Sequence, residues 1–352
     1  MRADTGNLLD NVQIRLSWNL FRTPEPTGTT PRSEESVTHH RTPSQSDQSI
    51  VLNTRVSCLL ARFWQQGVAS YLEEAIAAGR IARDFVPRDH PQRPVALSNL
   101  ANGLHMRFWQ NGALSDLEEV IGLRRAALHL RPQGHPDLAV SLNNLAVSLC
   151  DKFNHLGAAS DLDESIRLHR AALKLCPPGH PKRPTSMNHL AASLCARFKH
   201  LQMKCDLDEA ITLGRESLDL HPLDDSGRPG ALNNLATSYH IRSIILHNSA
   251  DLNHAIELHR EALDRLSARG PHLSMLFANL AVCLETRFGE RGTMADLDEA
   301  VTLLRTSLNL FPLGHPQRAT SLKDLGSALH VRFKHKGLDG GIGDLNEAIL
   351  FL

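Results

Sequence analysis

The sequence predicts an all-α fold, an α-solenoid built from tandem antiparallel helix pairs with a repeat of 45 residues. Phenylalanines that follow a basic residue recur at this step, as in Phe63, Phe108, Phe153 and Phe198. A line of arginines keeps the same step without a gap from Arg80 to Arg305. Self-similarity at this length is typical of stacked arrays, because one unit alone cannot bury its apolar face.

Each repeat contains the patterns of two amphipathic helices. Apolar side chains at helical spacing predict helix A over 136–153, with Pro136 in its first turn. Asp161 and Glu164 form a D-x-x-E pattern, which predicts a capping box at the start of helix B. Helix B then ends near Leu175, before two prolines and a glycine. One leucine per repeat is expected in the core of helix A: Leu100, Leu145, Leu190, Leu235, Leu280 and Leu325.

The chain is predicted to have two parts. Residues 1–48 are expected to be disordered or weakly ordered, because the segment from 23 is rich in Ser, Thr and Pro. Residues 49–352 are expected to form the solenoid, with about six and a half repeats and a truncated last one. Solenoids usually end in a polar cap, so an uncapped C-terminal helix suggests a truncated gene product, a partner that covers the end, or self-association.

Charge and composition exclude several functional classes. The 38 basic and 38 acidic residues give a formal net charge of +0, which argues against nucleic acid and membrane as partners. No apolar run approaches the roughly 20 residues that cross a bilayer, and the first thirty residues lack the apolar core of a signal peptide. The six cysteines contain no C-x-x-C pair and are interpreted as free thiols. A cytoplasmic protein is therefore expected.

Catalytic and metal sites are not predicted. The sequence has no Gly-rich phosphate loop, no G-x-S-x-G and no H-E-x-x-H, so no enzyme and no cofactor are expected. Histidines that precede proline recur with the repeat, and packed helices lie about 8–10 Å apart, too far for equivalent residues to share one zinc ion. These His-Pro pairs are interpreted as helix-start signals. The arginine line is compatible with an anionic ligand, but ion pairing across repeat boundaries is favoured.

Helix B resembles the second helix of tetratricopeptide repeats. It reads D-L-D-E-A-I-x-L-x-R-x-A-L, with small residues such as Ala75, Ala210 and Ala300 at one position. The long repeat, with G-H-P and L-N-N-L-A between Gly134 and Ala146, is similar to kinesin-light-chain repeats. It is still more similar to fungal arrays that precede caspase-like protease domains of the CHAT class. The resemblance implies a right-handed superhelix with a concave, peptide-binding groove.

Asparagines on helix A are the candidate binding residues. The resemblance implies that their positions face the groove, where an amide can donate to and accept from a peptide backbone. Hydrogen bonding between adjacent repeats is the alternative. The candidate groove residues are Asn99, Asn102, Asn143, Asn144, Asn188, Asn233, Asn234 and Asn279.

The predicted function is that of a protein–protein interaction scaffold that binds an extended peptide or a partner domain. The alternative is a regulatory repeat fragment of a CHAT-type protease whose catalytic domain is absent from this chain. No segment remains that would house such a domain, so no Cys–His dyad is assigned.

Overall fold

The structure is a computed structural model and describes residues 45–225, 227–266, 271–310 and 316–351. The N-terminal segment predicted over 1–48 lies almost wholly outside these ranges. The regular secondary structure in the described ranges is helical, as predicted. The chain divides after Gly157 into two compact units, referred to below as the N-terminal and C-terminal units.

The N-terminal unit contains two helix pairs and the first helix of a third. The helices are α1 (Gln45–Gln66), α2 (Ala69–Phe85), α3 (Arg93–Asn111), α4 (Leu114–His129) and α5 (Leu138–Leu156). Each helix packs on the next, and α1 also contacts α3. The connection within each pair is so short that the two helices run antiparallel. Odd-numbered helices correspond to the predicted helix A and even-numbered helices to helix B.

The C-terminal unit continues the same alternation. Its helices are α6 (Ala159–Lys174), α7 (Arg183–Leu201), α8 (Lys204–Leu220), α9 (Arg228–Leu246), α10 (Ser249–Asp264), α11 (Pro271–Arg291), α12 (Met294–Leu310) and α13 (Pro316–Phe351). Successive helices pack on each other, and α9 also contacts both α7 and α11. The backbone of α13 leaves the helical region at Gly337, where φ is 68°. This helix therefore contains both helices of the last repeat.

The His-Pro pairs mark helix starts, but through the histidine ring rather than through the proline. Helix α5 begins at Leu138, so Pro136 precedes the helix instead of lying in its first turn. The Nδ1 atom of His135 accepts a hydrogen bond from the backbone N–H of Asp137 at 3.0 Å. Asp225 makes the same contact with the N–H of Gly227 at 2.6 Å, because a carboxylate can replace the ring nitrogen as the acceptor. His315 lies outside the described residues.

The predicted capping box at the start of helix B is wrong. Helix α6 begins at Ala159, so Asp161 lies inside its first turn, and the N-cap residue is Ala158 without a side-chain cap. The equivalent Asp206 instead accepts two hydrogen bonds of 2.8 Å from Arg197 of the preceding helix A. A two-point contact of this kind fixes the relative position of two helices, which capping would not. The same bond joins Arg107 to Asp116, Arg242 to Asp251 and Arg287 to Asp296.

The core runs between the helices of one pair and between adjacent pairs, and its leucines agree with the prediction. All six predicted leucines are at most 3% exposed. Alanines at the predicted small position, such as Ala75, Ala210 and Ala300, are fully buried. Close packing at these positions lets helix B approach helix A, and it repeats along both units.

The predicted pairing across repeat boundaries is confirmed for four arginines of the line, whereas Arg215 donates to the hydroxyl of Tyr239. Arg80 contacts Glu119 at 2.9 Å, and Arg170 contacts Glu209 at 2.8 Å. Each pair connects a helix B to the helix B of the following repeat. The side chains are about 30–50% exposed, so each pair contributes little to stability, but it engages the arginine that an anionic ligand would need.

Candidate functional site

The asparagines of the C-terminal unit are buried and join adjacent repeats. The amide nitrogen of Asn234 donates to Oδ1 of Asn188 at 3.1 Å, which connects α9 to α7. Asn279 of α11 donates in the same way to Oδ1 of Asn233 at 2.9 Å. All four side chains are less than 10% exposed. These contacts are the hydrogen bonds between adjacent repeats that the alternative interpretation of the asparagines describes.

The asparagines of the N-terminal unit differ in exposure. Asn99 is buried, and its amide nitrogen donates to the backbone oxygen of Asn53 at 3.3 Å. Asn143 is also buried. Asn102 on α3 and Asn144 on α5 are half-buried, so they are the two candidates whose side chains reach solvent.

A buried arginine connects these two asparagines. Arg124 extends from α4 between α3 and α5, and its side chain is 7% exposed. One of its terminal nitrogens donates to the backbone oxygen of Asn144 and to Oγ of Ser148. The other lies 3.4 Å from Oδ1 of Asn102 and 3.0 Å from Nδ1 of His105. One guanidinium therefore contacts both half-buried asparagines, Asn102 through its side-chain oxygen and Asn144 through its backbone oxygen.

The charge of Arg124 is balanced through a histidine. Because Nδ1 of His105 accepts from Arg124, its proton lies on Nε2, which is 2.7 Å from Oδ2 of Asp151. The indole nitrogen of Trp109 donates to the same carboxylate oxygen at 3.0 Å. Burial, followed by the charge of Arg124, lowers the pKa of His105 from 6.5 to about 4. Burial also lowers the pKa of Arg124 to about 10, so the guanidinium remains charged at neutral pH while His105 is neutral.

The C-terminal unit carries different groups at the equivalent positions. His240, equivalent to His105, lies 2.9 Å through Nε2 from Oγ1 of Thr286. His259, equivalent to Arg124, is 1% exposed. Burial is the main cause that lowers the pKa of His240 to about 4 and that of His259 to about 3. Both rings are therefore neutral under physiological conditions.

Sequence reasoning missed the position that Arg124 occupies. Its signal was a position of helix B at the repeat step that holds four different residue types in six repeats, whereas the position just before it is leucine in five of the six. The residues at this position, referred to below as the junction position, are Gly79, Arg124, His169, Gly214, His259 and Leu304.

The described part of the chain contains neither a metal-binding cluster nor a membrane-spanning helix. Over the described ranges, no three His, Cys, Asp or Glu side chains converge in a way that would hold a metal ion. None of the helices in these ranges is both long and apolar enough to cross a membrane.

Comparisons with known proteins identify the repeat. Residues 138–182 match the sequence model of the tetratricopeptide repeat family. No curated protein matches the chain. A structure of human IFIT1 dimer with m7Gppp-AAAA has a TM-score of 0.50 and 13% identity, covering 89% of this chain and 71% of that one.

Two further solved structures are similar over a large share of their own lengths. One contains the nearly identical TPR-like repeats of a Podosopora anserina protein described as a kinesin light chain, with a TM-score of 0.43 and 16% identity, covering 60% of this chain and 96% of that one. The other is an assembly chaperone of RpL4, with a TM-score of 0.47 and 15% identity, covering 82% and 97%. At these identities the similarity concerns the fold alone.

The family match, the 45-residue step and the paired helices agree with one another. The described part of this chain is an α-solenoid of tetratricopeptide-like helix pairs, and residues 138–182 are a tetratricopeptide repeat.

Proposed function

We propose that this protein is a non-catalytic interaction scaffold that binds an extended peptide on the face of α3 and α5 in its N-terminal unit. The fold is consistent with a scaffold, because tetratricopeptide-like arrays commonly bind protein partners. The observation that carries the proposal is that Arg124 contacts Oδ1 of Asn102 and the backbone oxygen of Asn144, the two half-buried asparagines.

The geometry suits a peptide backbone. Oδ1 of Asn102 faces Arg124, so the N–H groups of this amide point away from the guanidinium. The side chain of Asn144 remains half-buried while its backbone oxygen is bound by the same group. The Asn102 amide, which Arg124 holds in advance, loses little conformational freedom when a ligand binds. Together the two amides would hold the N–H and C=O groups of an extended chain without selecting its side chains.

Random peptides displayed on phage, selected against the whole chain, would test the proposal. The affinity of selected peptides, synthesised and labelled, would be measured by fluorescence anisotropy for the wild type and for the double variant Asn102→Ala, Asn144→Ala. Loss of two hydrogen bonds, at about 1 kcal/mol each, should weaken binding by about 30-fold.

A matched control separates this effect from a general loss of surface amides. Asn309 is an exposed asparagine on α12, a helix B, and Asn309→Ala should leave the affinity unchanged. Helical circular dichroism should be the same in all three proteins. Peptides that bind the double variant as tightly as the wild type would contradict the proposed site.

The other six asparagines remain predictions as binding residues, and their buried positions favour a structural role. The association with a caspase-like protease, the cytoplasmic location and self-association through the C-terminal helix also remain predictions. The scaffold proposal requires none of them.

A further inference from the structure

The line of ion pairs along the B helices is interrupted between α8 and α10. Arg170 and Arg260, one repeat before and one repeat after Arg215, each contact a glutamate 39 residues later at 2.8 Å. For Arg215 the residue at the same separation is His254, so the carboxylate of the pair is missing. The guanidinium of Arg215 therefore keeps its charge without the partner that both neighbouring arginines have.

A tyrosine holds Arg215 in place of the missing carboxylate. Position 239 is leucine in the other repeats, as at Leu194 and Leu284, and only Tyr239 carries a hydroxyl group there. The Nε atom of Arg215 donates to this hydroxyl, and the guanidinium carbon lies 5.3 Å from the centroid of the tyrosine ring. Tyr239 is 2% exposed, so it is a fixed support. The changes at positions 239 and 254 occur at the same junction, and both affect this arginine.

The terminal nitrogens of Arg215 are available to a ligand. Arg215 is exposed, and within the described ranges these two nitrogens make no hydrogen bond and no salt bridge. His254 lies beside the same tyrosine, with ring centroids 4.8 Å apart, and its side chain is 50% exposed. Arg242 also lies over the ring of Tyr239, but two hydrogen bonds to Asp251 compensate its charge. The uncompensated cation of this junction is therefore Arg215.

The acidic residues nearby do not replace the missing carboxylate. Exposed acidic residues of α8 and α10 are Asp208, Glu216, Asp219, Glu257 and Asp264. In the part of the chain that the structure describes, none of them forms a salt bridge with Arg215. Glu257 instead lies 3.7 Å from Nδ1 of His254, on its own helix. A carboxylate that binds Arg215 at this junction has to come from outside the described chain.

We infer that Arg215, supported by Tyr239 and flanked by His254, binds the carboxylate of an acidic residue on a protein partner. This carboxylate would lie beside Arg215 as Glu209 lies beside Arg170, and it would accept two parallel hydrogen bonds from the terminal nitrogens. An exposed ion pair contributes little affinity alone, so the contact selects partners that carry an acidic residue. It lies in the C-terminal unit and does not depend on the proposed peptide face of α3 and α5.

The test follows arginine side chains by NMR in the whole chain, labelled isotopically on the arginine nitrogens. The probe is a glycine–serine peptide with one central glutamate, and the same peptide with glutamine, its neutral isostere, is the control. The glutamate peptide should shift the Nε–Hε signal of Arg215, identified by its loss in Arg215→Gln, with an affinity about fivefold higher than that of the glutamine peptide. Equal shifts from the two peptides, or no shift, would overturn the inference.

The variant His254→Glu supplies the missing carboxylate from within the chain. Its side chain should pair with Arg215 as Glu299 pairs with Arg260, so the glutamate peptide should no longer shift the Arg215 signal more than the glutamine peptide does. Arg260→Gln is the matched control and should leave the effect at Arg215 unchanged, with the same helical circular dichroism in every variant. A glutamate-specific shift that persists in His254→Glu, or one that is equally large at Arg260 in the wild type, would contradict the assignment.

Discussion

Acidification should destabilise the C-terminal unit through His259. Burial, followed by the charge of His240, lowers the pKa of His259 to about 3 in the folded chain, whereas an exposed histidine titrates near 6.5. The unfolded state therefore binds more protons than the folded state between these two values. The stability that depends on neutral His259 is fully present above pH 6.5 and is lost as the pH falls towards 3.

The magnitude follows from the two pKa values. Lowering the pH from 7.5 to 5.5 should reduce the unfolding free energy by about 1.4 kcal/mol through this one residue. Glu285 acts in the opposite direction, because its raised pKa, about 8, makes the folded state bind more protons between about pH 4.5 and 8. The total pH dependence is a sum of opposed contributions, so the informative quantity is the difference between a variant and the wild type.

The assay is urea unfolding followed by helical circular dichroism at pH 7.5 and pH 5.5. In His259→Gln, the loss of unfolding free energy between the two pH values should be smaller than in the wild type by about 1.4 kcal/mol. His247→Asn is the matched control, since His247 is exposed, and asparagine tolerates its left-handed backbone, with φ of 49°. An identical pH dependence in His259→Gln and in the wild type would refute the reasoning.

Three further substitutions test the framework by urea or thermal unfolding. Asp151→Asn removes the carboxylate that balances buried Arg124 and should cost about 3 kcal/mol in urea; a change below about 1 kcal/mol would show that the charge is compensated elsewhere. Leu235→Ala opens a cavity in the core of α9 and should cost about 2–5 kcal/mol, whereas an unchanged urea midpoint would contradict its burial. Arg242→Lys keeps the charge but loses the two-point contact with Asp251, and thermal unfolding should show a loss of about 1 kcal/mol. A variant as stable as the wild type would show that the contact geometry is unimportant.

The fold was predictable because its signals repeat. One leucine per repeat, as at Leu235, indicates the core, since a position that keeps its type in every repeat has the same packing partners each time. The helix-start role of His135 was predictable for a similar reason. Its mechanism was not, because the sequence does not show that the ring accepts a backbone N–H two residues on.

The wrong capping prediction has an identifiable physical cause, and the asparagines show a second limit of the sequence. The D-x-x-E pattern that contains Asp161 predicts a cap only if the helix begins at the aspartate, and α6 begins at Ala159. Which side of helix A is exposed depends on how closely neighbouring A helices approach. Asn234 and Asn188 are near enough to bond to each other between repeats, a contact that the sequence pattern does not show, and their role in a groove stays a prediction.

The junction position shows where a repeat array can vary without losing its framework. At Gly79 and Gly214 an added Cβ atom would lie 3.2 and 3.0 Å from leucines of the next helix A, so glycine there allows close packing. Arg124 and His259 occupy the same position with polar neighbours on both adjacent A helices, whereas Leu304 has Glu285 and Asp324 at the equivalent neighbouring positions. In a globular domain with a single core, a change of residue type at such a position would have to be accommodated within that core. In a stack, each junction contacts only its neighbours, so one junction can change its polar residues while the leucines on either side keep the helices in place. The Arg124 and Leu304 junctions differ in this way, since His105 and Asn144 of the first correspond to Glu285 and Asp324 of the second.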